Sequence, residues 1–399
     1  MTTTTEPGGS GAKAPADAGF DLSLTADQAL IQKTARDFAR EKVLPQAAAI
    51  DENKRVPPEL VREMGALGFM GIDVPERYGG SGLDTLTYIL VVEEINRACA
   101  STGVILCSHV SLAIAPIQRW GSDAQKEKWI PALARGEKIG CFALSEPASG
   151  SDAAAMRTSA RRDGADWVLS GTKNFITNGA IADVCVVFAQ TDPSQKHKGI
   201  AAFVVEKGTP GFSVGKLERK LGIRGSDTAQ LIFEDCRVPA ANLLGDVGEG
   251  FKIALSTLDG GRIGIAAQAV GIARACLEDS LAYAKEREAF GKKIADFQAI
   301  QWKLADMATE IDAARLLTWK AATLRDQGAP HILEAAEAKL FASDVAVKSA
   351  RDCVQIFGGY GYLADFPAER HYRDAKITEI YEGTSEIMKL VIAEEVLGE

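Results

Sequence analysis

The 399-residue chain is poor in the residues that build metal centres and disulfide frameworks. It has four dispersed histidines and seven cysteines, and no C-x-x-C pair. Cys99, Cys107, Cys141, Cys185, Cys236, Cys276 and Cys353 are scattered and odd in number. This pattern excludes a disulfide scaffold and predicts reduced thiols in a cytoplasmic setting. None has ligand spacing, so no metal site is expected. Positive charge is also short: 45 Lys and Arg face 54 Asp and Glu, a net charge of −9. Nucleic acid is therefore not the expected partner, although phosphorylated ligands need only local positive charge. No uninterrupted apolar run reaches membrane-spanning length, so no membrane insertion is expected. Residues 1–20 lack Arg and an apolar core, are rich in Thr, Gly, Ala and Pro, and read as a disordered leader rather than a targeting peptide.

What is present divides by texture. The length implies two or three packed domains. Thr25 is placed to cap a helix carrying Leu30, Ile31, Ala35, Phe38 and Ala39. Pro57 and Pro58 open a second helix, and a long apolar helix is predicted from about Thr85 to Cys107. From about Lys138 the pattern becomes short β-rich runs, among them Trp167 to Ser170, Val184 to Phe188, Ala201 to Val205 and Gln230 to Phe233. No helical period separates them, which predicts an antiparallel sheet or barrel. Helix returns after Gly248-Glu249-Gly250, and Ile300, Leu304, Met307 and Ile311 share one stripe, the signature of a four-helix bundle. The expected α+β organisation is a helical domain over 21–137, a β domain over 138–246 and a helical bundle over 247–399.

Several segments are candidates for chemistry. Glu382 lies in Ile380-Tyr-Glu-Gly-Thr-Ser385, between a charged helical run and a new apolar-periodic run. A carboxylate desolvated at such a junction has a raised pKa and can act as a base. A solvated Glu ahead of an N-cap is the commoner use of such a segment. The loop from Leu144 to Asp152 gathers hydroxyls and small residues that could meet a polar ligand or simply cap turns. Phe175 and Thr177 could stack on and bond a flat cofactor, or serve the sheet core. Arg287 to Lys293 is a basic break suited to pyrophosphate or to a helix end. Gly359-x-Gly361-x-x-Ala364 imitates a dinucleotide fingerprint, but a helix precedes it where that motif needs a strand. No nucleophile-elbow spacing occurs.

Taken in order, Cys141 to Asp152, Gln355 to Tyr362, Tyr372 to Ile377 and Ile380 to Ser385 resemble the acyl-CoA dehydrogenase family, over about Leu24 to Leu397. The resemblance implies an α-helical domain, a β-barrel domain and a C-terminal four-helix bundle, with FAD as cofactor and a homotetrameric assembly. It implies that Glu382 takes the pro-R α-proton of an acyl-CoA while the β-hydride passes to flavin N5, giving the trans-2-enoyl-CoA. The thioester carbonyl is then held by the Glu382 N–H and a flavin ribityl hydroxyl, with Gly383 permitting close approach. Phe142, Leu144, Ser145 and Ser151 match flavin-lining positions, Ser151 also lying near substrate. Phe175 and Thr177 match positions covering the flavin, with Phe175 where many members have Trp. Arg287, Phe290 and Gln298 match positions reaching a neighbouring subunit's FAD, and Gln355, Gly358 and Gly359 an adenine-diphosphate contact. Thr384 and Glu386 match contacts after the base, and Asp259 and Arg262 substrate-side positions.

Gly261 falls where isovaleryl-type and long-chain-type members carry their base, so the pattern is most similar to the short-chain, butyryl-type branch. The electron acceptor implied is an electron-transferring flavoprotein. A branched or cyclic short acyl substrate, an oxygen-using acyl-CoA oxidase and a non-catalytic relative are the alternatives.

Overall fold

The computed structural model describes residues 23–398. The expected leader over 1–20 lies outside them. Thr25 closes a capping box on the Ala26–Phe38 helix: its N–H donates to Gln28 Oε1 at 3.0 Å, and the Gln28 N–H to Thr25 Oγ1 at 3.2 Å. Ala35, Phe38 and Ala39 are buried as the stripe predicts, whereas Leu30 faces solvent. The run expected to be one helix from Thr85 to Cys107 is two. Thr85–Ala98 and Ala100–Cys107 meet at Cys99, whose backbone is extended (φ −160°, ψ 111°). Periodicity is blind to this break because residues on both sides are buried all round.

Helical backbone then continues through Ser108–Ile114 to Trp120. This 100–120 stretch, though interrupted by polar residues, is by length and mean hydropathy (1.6 over 18 residues) apolar enough to cross a membrane, but 94% of that window is buried inside the protein. It is a core helix, and two of its polar residues, Ser111 and His109, are bonded internally. Ser111 Oγ donates to the Cys107 carbonyl at 2.7 Å. The Gly140 N–H donates to His109 Nδ1 at 3.0 Å, which leaves the proton on Nε2, 3.0 Å from the Leu133 carbonyl. His109 thus joins the N-terminal helices to the first strand as a neutral ring.

The sheet contains β1 (Gly140–Ala143), β2 (Ser159–Asp163), β3 (Asp166–Thr177), β4 (Val184–Gln190), β5 (Ile200–Glu206), β6 (Phe212–Leu217), β7 (Thr228–Val238) and β8 (Leu243–Leu244). Its order is β6-β7-β3-β2-β4-β5-β8, with β1 also on β4. The sheet is mixed rather than antiparallel: β1 pairs β4 in parallel from Gly140↔Val184 to Ala143↔Val187, and β2 meets β4 in parallel at Ser159↔Gln190. The parallel return runs through the irregular 144–158 loop instead of a helix, so a pattern that ties parallel strands to helical crossovers does not reveal it. Along β4 the side chains alternate between two cores. Val184, Val186 and Phe188 pack with Ile117, Trp129 and Ile253 of the helices, while Cys185, Val187 and Ala189 pack with Leu169, Phe203 and Leu231 of the sheet.

The 37-residue Gly250–Glu286 helix is the spine of the C-terminal part. Gln298–Asp326 and Ile332–Phe357 pack along it, Ser385–Leu397 packs on Ile332–Phe357, and Thr85–Ala98 covers its other side. Met307 and Ile311 are buried and Ile300 and Leu304 partly so, as their stripe predicts. Two buried carboxylates tie these helices together. Arg274 Nη1 lies 3.2 Å from Glu93 and 3.0 Å from Glu94, Arg315 Nη2 lies 3.0 Å from Glu93, and Arg36 Nη2 2.9 Å from Glu94. Removing one partner of such a pair leaves a buried charge uncompensated.

Burial pushes the His109 pKa down from 6.5 to about 4. The unfolded chain therefore takes up this proton first as pH falls. Stability from His109 is complete above about pH 6.5 and declines towards pH 4, by roughly 2 kcal/mol between pH 7 and pH 5. Thermal midpoints at those two pH values should differ less in His109→Gln than in the parent; an unchanged difference would show that another group carries the effect.

Candidate active site

The chain leaves the Pro367–Ala375 helix through a short turn, Lys376–Glu379, and enters a bend with two successive positive φ angles, 55° at Glu382 and 104° at Gly383. A side-chain-bearing residue in that region costs about 1 kcal/mol or more and persists where its surroundings hold it. Thr384 then caps Ser385–Leu397, its Oγ1 accepting from the Ile387 N–H at 3.3 Å. Glu386 is exposed in the first turn, and its own N–H keeps its carboxyl below the usual range.

The bend turns the Glu382 side chain inward. The residue as a whole is half-buried, but Oε2 is sealed from water and has no hydrogen-bond partner. Burial raises its pKa from 4.5 to about 7, against the opposing charges of Lys339 and Arg262. Arg262 is itself buried, pairs with Asp259 at 2.9 Å and points Nε at the Glu382 carbonyl, 3.4 Å away. Burial also raises the Asp259 pKa, with Arg262 pulling the other way. Glu382, Gly383, Asp259 and Arg262 are thus gathered in one place.

Tyr88, Cys107 and Tyr381 lie near enough for the Glu382 charge to act on them. Burial is the chief cause that raises all three, Cys107 to about 12. The Tyr381 hydroxyl donates to Gln268 Oε1. Gly261 faces the carboxylate directly. A Cβ built there would lie 2.1 Å from Glu382 Oε2 and 2.9 Å from Leu112 Cδ2. Positions 261 and 382 therefore address the same space, one from a helix and the other from the bend.

The remaining candidates fall into two other groups. At the sheet, Phe175 is 62% exposed because the β3–β7 register slips between Lys173 and Ile176, and its φ of 60° turns the ring outward. Thr177 is half-buried beside it. Ser145 accepts from the Asn174 N–H at 2.8 Å, so its loop is laced to the same strand. Leu144 is buried, and Phe142 is committed to the core, its ring edge-on to Phe188 at 4.9 Å. Ser151 is exposed on the loop.

The other group lies at the helix ends. Arg287, Gly358 and Gly359 line one cavity of about 430 Å³ with Tyr283 and Tyr360, and the Arg287 guanidinium sits 5.4 Å from the Tyr360 ring centre. Phe290 is 96% exposed on a tight hairpin, its φ of 52° followed by 78° at Gly291. Gln298 and Gln355 are exposed nearby in sequence, at the start and end of their helices.

Sequence reasoning passed over two residues that organise the loop. Lys173 is fully buried, and its Nζ donates to Glu146 Oε1 at 2.7 Å and to the Leu144 carbonyl at 3.0 Å. Glu146 in turn accepts from the N–H groups of Arg157 at 2.6 Å and Thr158 at 2.9 Å. A charged pair with nearly every polar atom bonded fixes both ends of the loop. The only local signal was a lysine inside a β-rich run.

Comparison with known proteins decides the family. The chain matches the acyl-CoA dehydrogenase N-terminal domain over residues 25–137, the middle domain over 141–236 and the C-terminal domain over 248–397. The protein belongs to the acyl-CoA dehydrogenase family. It is 54% identical over 376 residues to the human mitochondrial short-chain specific acyl-CoA dehydrogenase, covering 94% of this chain and 91% of that one. Butyryl-CoA dehydrogenase from Megasphaera elsdenii has the same fold, with TM-score 0.93, 48% identity, and coverage of 94% and 100%. A chain from the structure of the electron transferring flavoprotein of Acidaminococcus fermentans gives TM-score 0.94 and 51% identity, with coverage of 95% and 100%.

Gly261→Ala is expected to displace the Glu382 carboxyl, because the new methyl has no room. Overpacking of this kind costs about 1–3 kcal/mol. A lowered thermal midpoint and a rotated Glu382 in a crystal structure of the variant are the readouts; an unmoved carboxyl would contradict the geometry.

Proposed function

We propose that this protein is an FAD-dependent dehydrogenase of short-chain acyl-CoA thioesters, with Glu382 as the base and trans-2-enoyl-CoA as the product. The observation that carries the reading is the buried Glu382 carboxyl with an unbonded oxygen. A pKa near 7 leaves a substantial carboxylate fraction at neutral pH and enough basicity to take an α-proton. That proton is acidic only when the thioester oxygen is stabilised as charge develops on it. The Glu382 N–H donates to no backbone carbonyl among the described residues, which supports its assignment to that oxygen. The carboxyl oxygen is kept from water beside Gly261 and Leu112, and Asp259 and Arg262 stand on the substrate side of the same turn.

The residues present fit FAD. An outward-facing aromatic at Phe175, with Thr177 beside it, suits a flat ring system. The Arg287 cavity with the Gly358 and Gly359 backbone suits a diphosphate. Leu144, Ser145 and Ser151 belong to the loop that the Lys173–Glu146 pair fixes beside Phe175. When bound, FAD supplies the acceptor for the β-hydride.

A short acyl group is supported by the similarity to short-chain specific and butyryl-CoA relatives, and by the buried Tyr88, Cys107 and Tyr381, which lie near enough to feel the Glu382 charge. The likeness to a chain from the structure of an electron transferring flavoprotein supports such a flavoprotein as the electron acceptor. Exposed Phe290, Trp302 and Tyr362 support assembly with further copies, read here as a homotetramer. Seven buried, unpaired thiols support a reducing, cytoplasmic compartment.

Purified protein should be yellow, and anaerobic butyryl-CoA should bleach it faster than longer or branched thioesters do. Glu382→Gln should keep the colour and lose the bleaching by about a thousandfold, within the usual contribution of one acid–base group. Because the base must be ionised, kcat/KM should fall about tenfold per pH unit below about 7 and level off above it. Bleaching of Glu382→Gln at the parental rate, or a flat profile, would overturn the assignment.

A further inference from the structure

Lys339 is buried in the third turn of the Ile332–Phe357 helix, with 0% of its surface exposed. Its neighbours along the buried stripe are Ala335, Ala336, Ala342 and Ser343. Its Nζ donates to the Gly383 carbonyl at 2.5 Å, and no carboxylate lies within ion-pair distance of it among the described residues. An ammonium with one neutral partner is costly to bury and is readily replaced by an apolar side chain where only packing is required. One turn further along, Ser343 Oγ lies 2.8 Å from the Thr378 carbonyl and 2.7 Å from the Lys339 carbonyl. A single helix therefore grips the 378–383 segment at both ends. Two successive carbonyls of the bend face cations, Glu382 towards Arg262 and Gly383 towards Lys339.

We propose that Lys339 is a positioning residue for proton abstraction, its ammonium fixing the left-handed Glu382–Gly383 bend and favouring the ionised form of the Glu382 carboxyl. This rests on the reading of Glu382 as the base. The charged and titratable groups around the pair come from every element packed on it. Arg262 and Asp259 stand on Gly250–Glu286, Tyr88 on Thr85–Ala98 and Cys107 on Ala100–Cys107. Tyr381 and Glu379 precede the bend, and Asp344 lies on the helix of Lys339 itself. Of these, Lys339 and Arg262 are the cations that stabilise the carboxylate, with Lys339 the larger influence. Burial pushes the Lys339 pKa down to about 8, against the pull of the Glu382 charge, so the ammonium is charged through the neutral range in which Glu382 ionises.

The test uses FAD-loaded Lys339→Met and Lys339→Gln beside Glu382→Gln, with anaerobic butyryl-CoA bleaching followed from pH 5.5 to 9. Lys339→Met is expected to keep its FAD and to bleach about ten- to a hundredfold more slowly, the loss of one hydrogen bond from a charged donor. The midpoint of its pH profile should rise by about one unit, because a cation that favours the carboxylate is gone. Lys339→Gln keeps a donor without the charge, so it should regain part of the rate while its midpoint stays high. A parental midpoint in either FAD-loaded variant overturns the proposal, whatever the rate. If neither variant holds FAD, Lys339 serves folding and the proposal is equally overturned. Bleaching of Glu382→Gln at the parental rate instead removes the base reading beneath it, which is a different failure.

Discussion

The Glu382 carboxyl is kept out of water with one oxygen unbonded, and much of the helical architecture is needed to keep it there. The bend that carries it has a left-handed residue followed by a glycine with positive φ, a conformation that would relax if free. It does not relax because the segment is caught between the Gly250–Glu286 helix on one side and Ile332–Phe357 on the other. The first of those helices is in turn tied, through Arg274, into the buried Glu93 and Glu94 network, which reaches from the first helix of the described chain to Gln298–Asp326. Raising a carboxyl's pKa by burial works against stability, so it requires a frame with strength to spare.

The sheet meets the opposite demand. It must hold an aromatic ring outward while both of its faces are packed. Strand β4 does this by giving one face to the helices and the other to the sheet's own core. The slip in register between β3 and β7 then frees Phe175 from either core. Fastening of the adjacent loop falls to the Lys173–Glu146 pair, one of the few places where a buried charge is almost fully bonded.

Much of this was legible in the sequence, for physical reasons. Thr25 with Gln28, Pro58, and the stripe ending in Met307 and Ile311 are local signals, and each produces the element it predicts. The β-rich runs gave the strands but not their directions, because the loop that returns β2 parallel to β4 carries no helical period. The break at Cys99 was invisible because amphipathicity vanishes where a helix is buried all round. Glu382 was ambiguous by itself and gained meaning only as part of a chain-long resemblance. Lys339 offered a signal that periodicity could have used: a lysine on the buried stripe of a helix, flanked by alanines at helical spacing. Gly261 was read as the absence of an alternative base. That its missing side chain would occupy the very space of the Glu382 carboxyl is a fact of tertiary geometry.

That shared space also constrains how such a site can change over generations. A carboxylate arriving at position 261 while Glu382 remains would press two acids into a volume that admits one, at 2.1 Å from the first added atom. Losing Glu382 first would leave no acid at all. With Glu382 as the proposed base, the first order crowds the site and the second removes its base, so the two positions exclude one another.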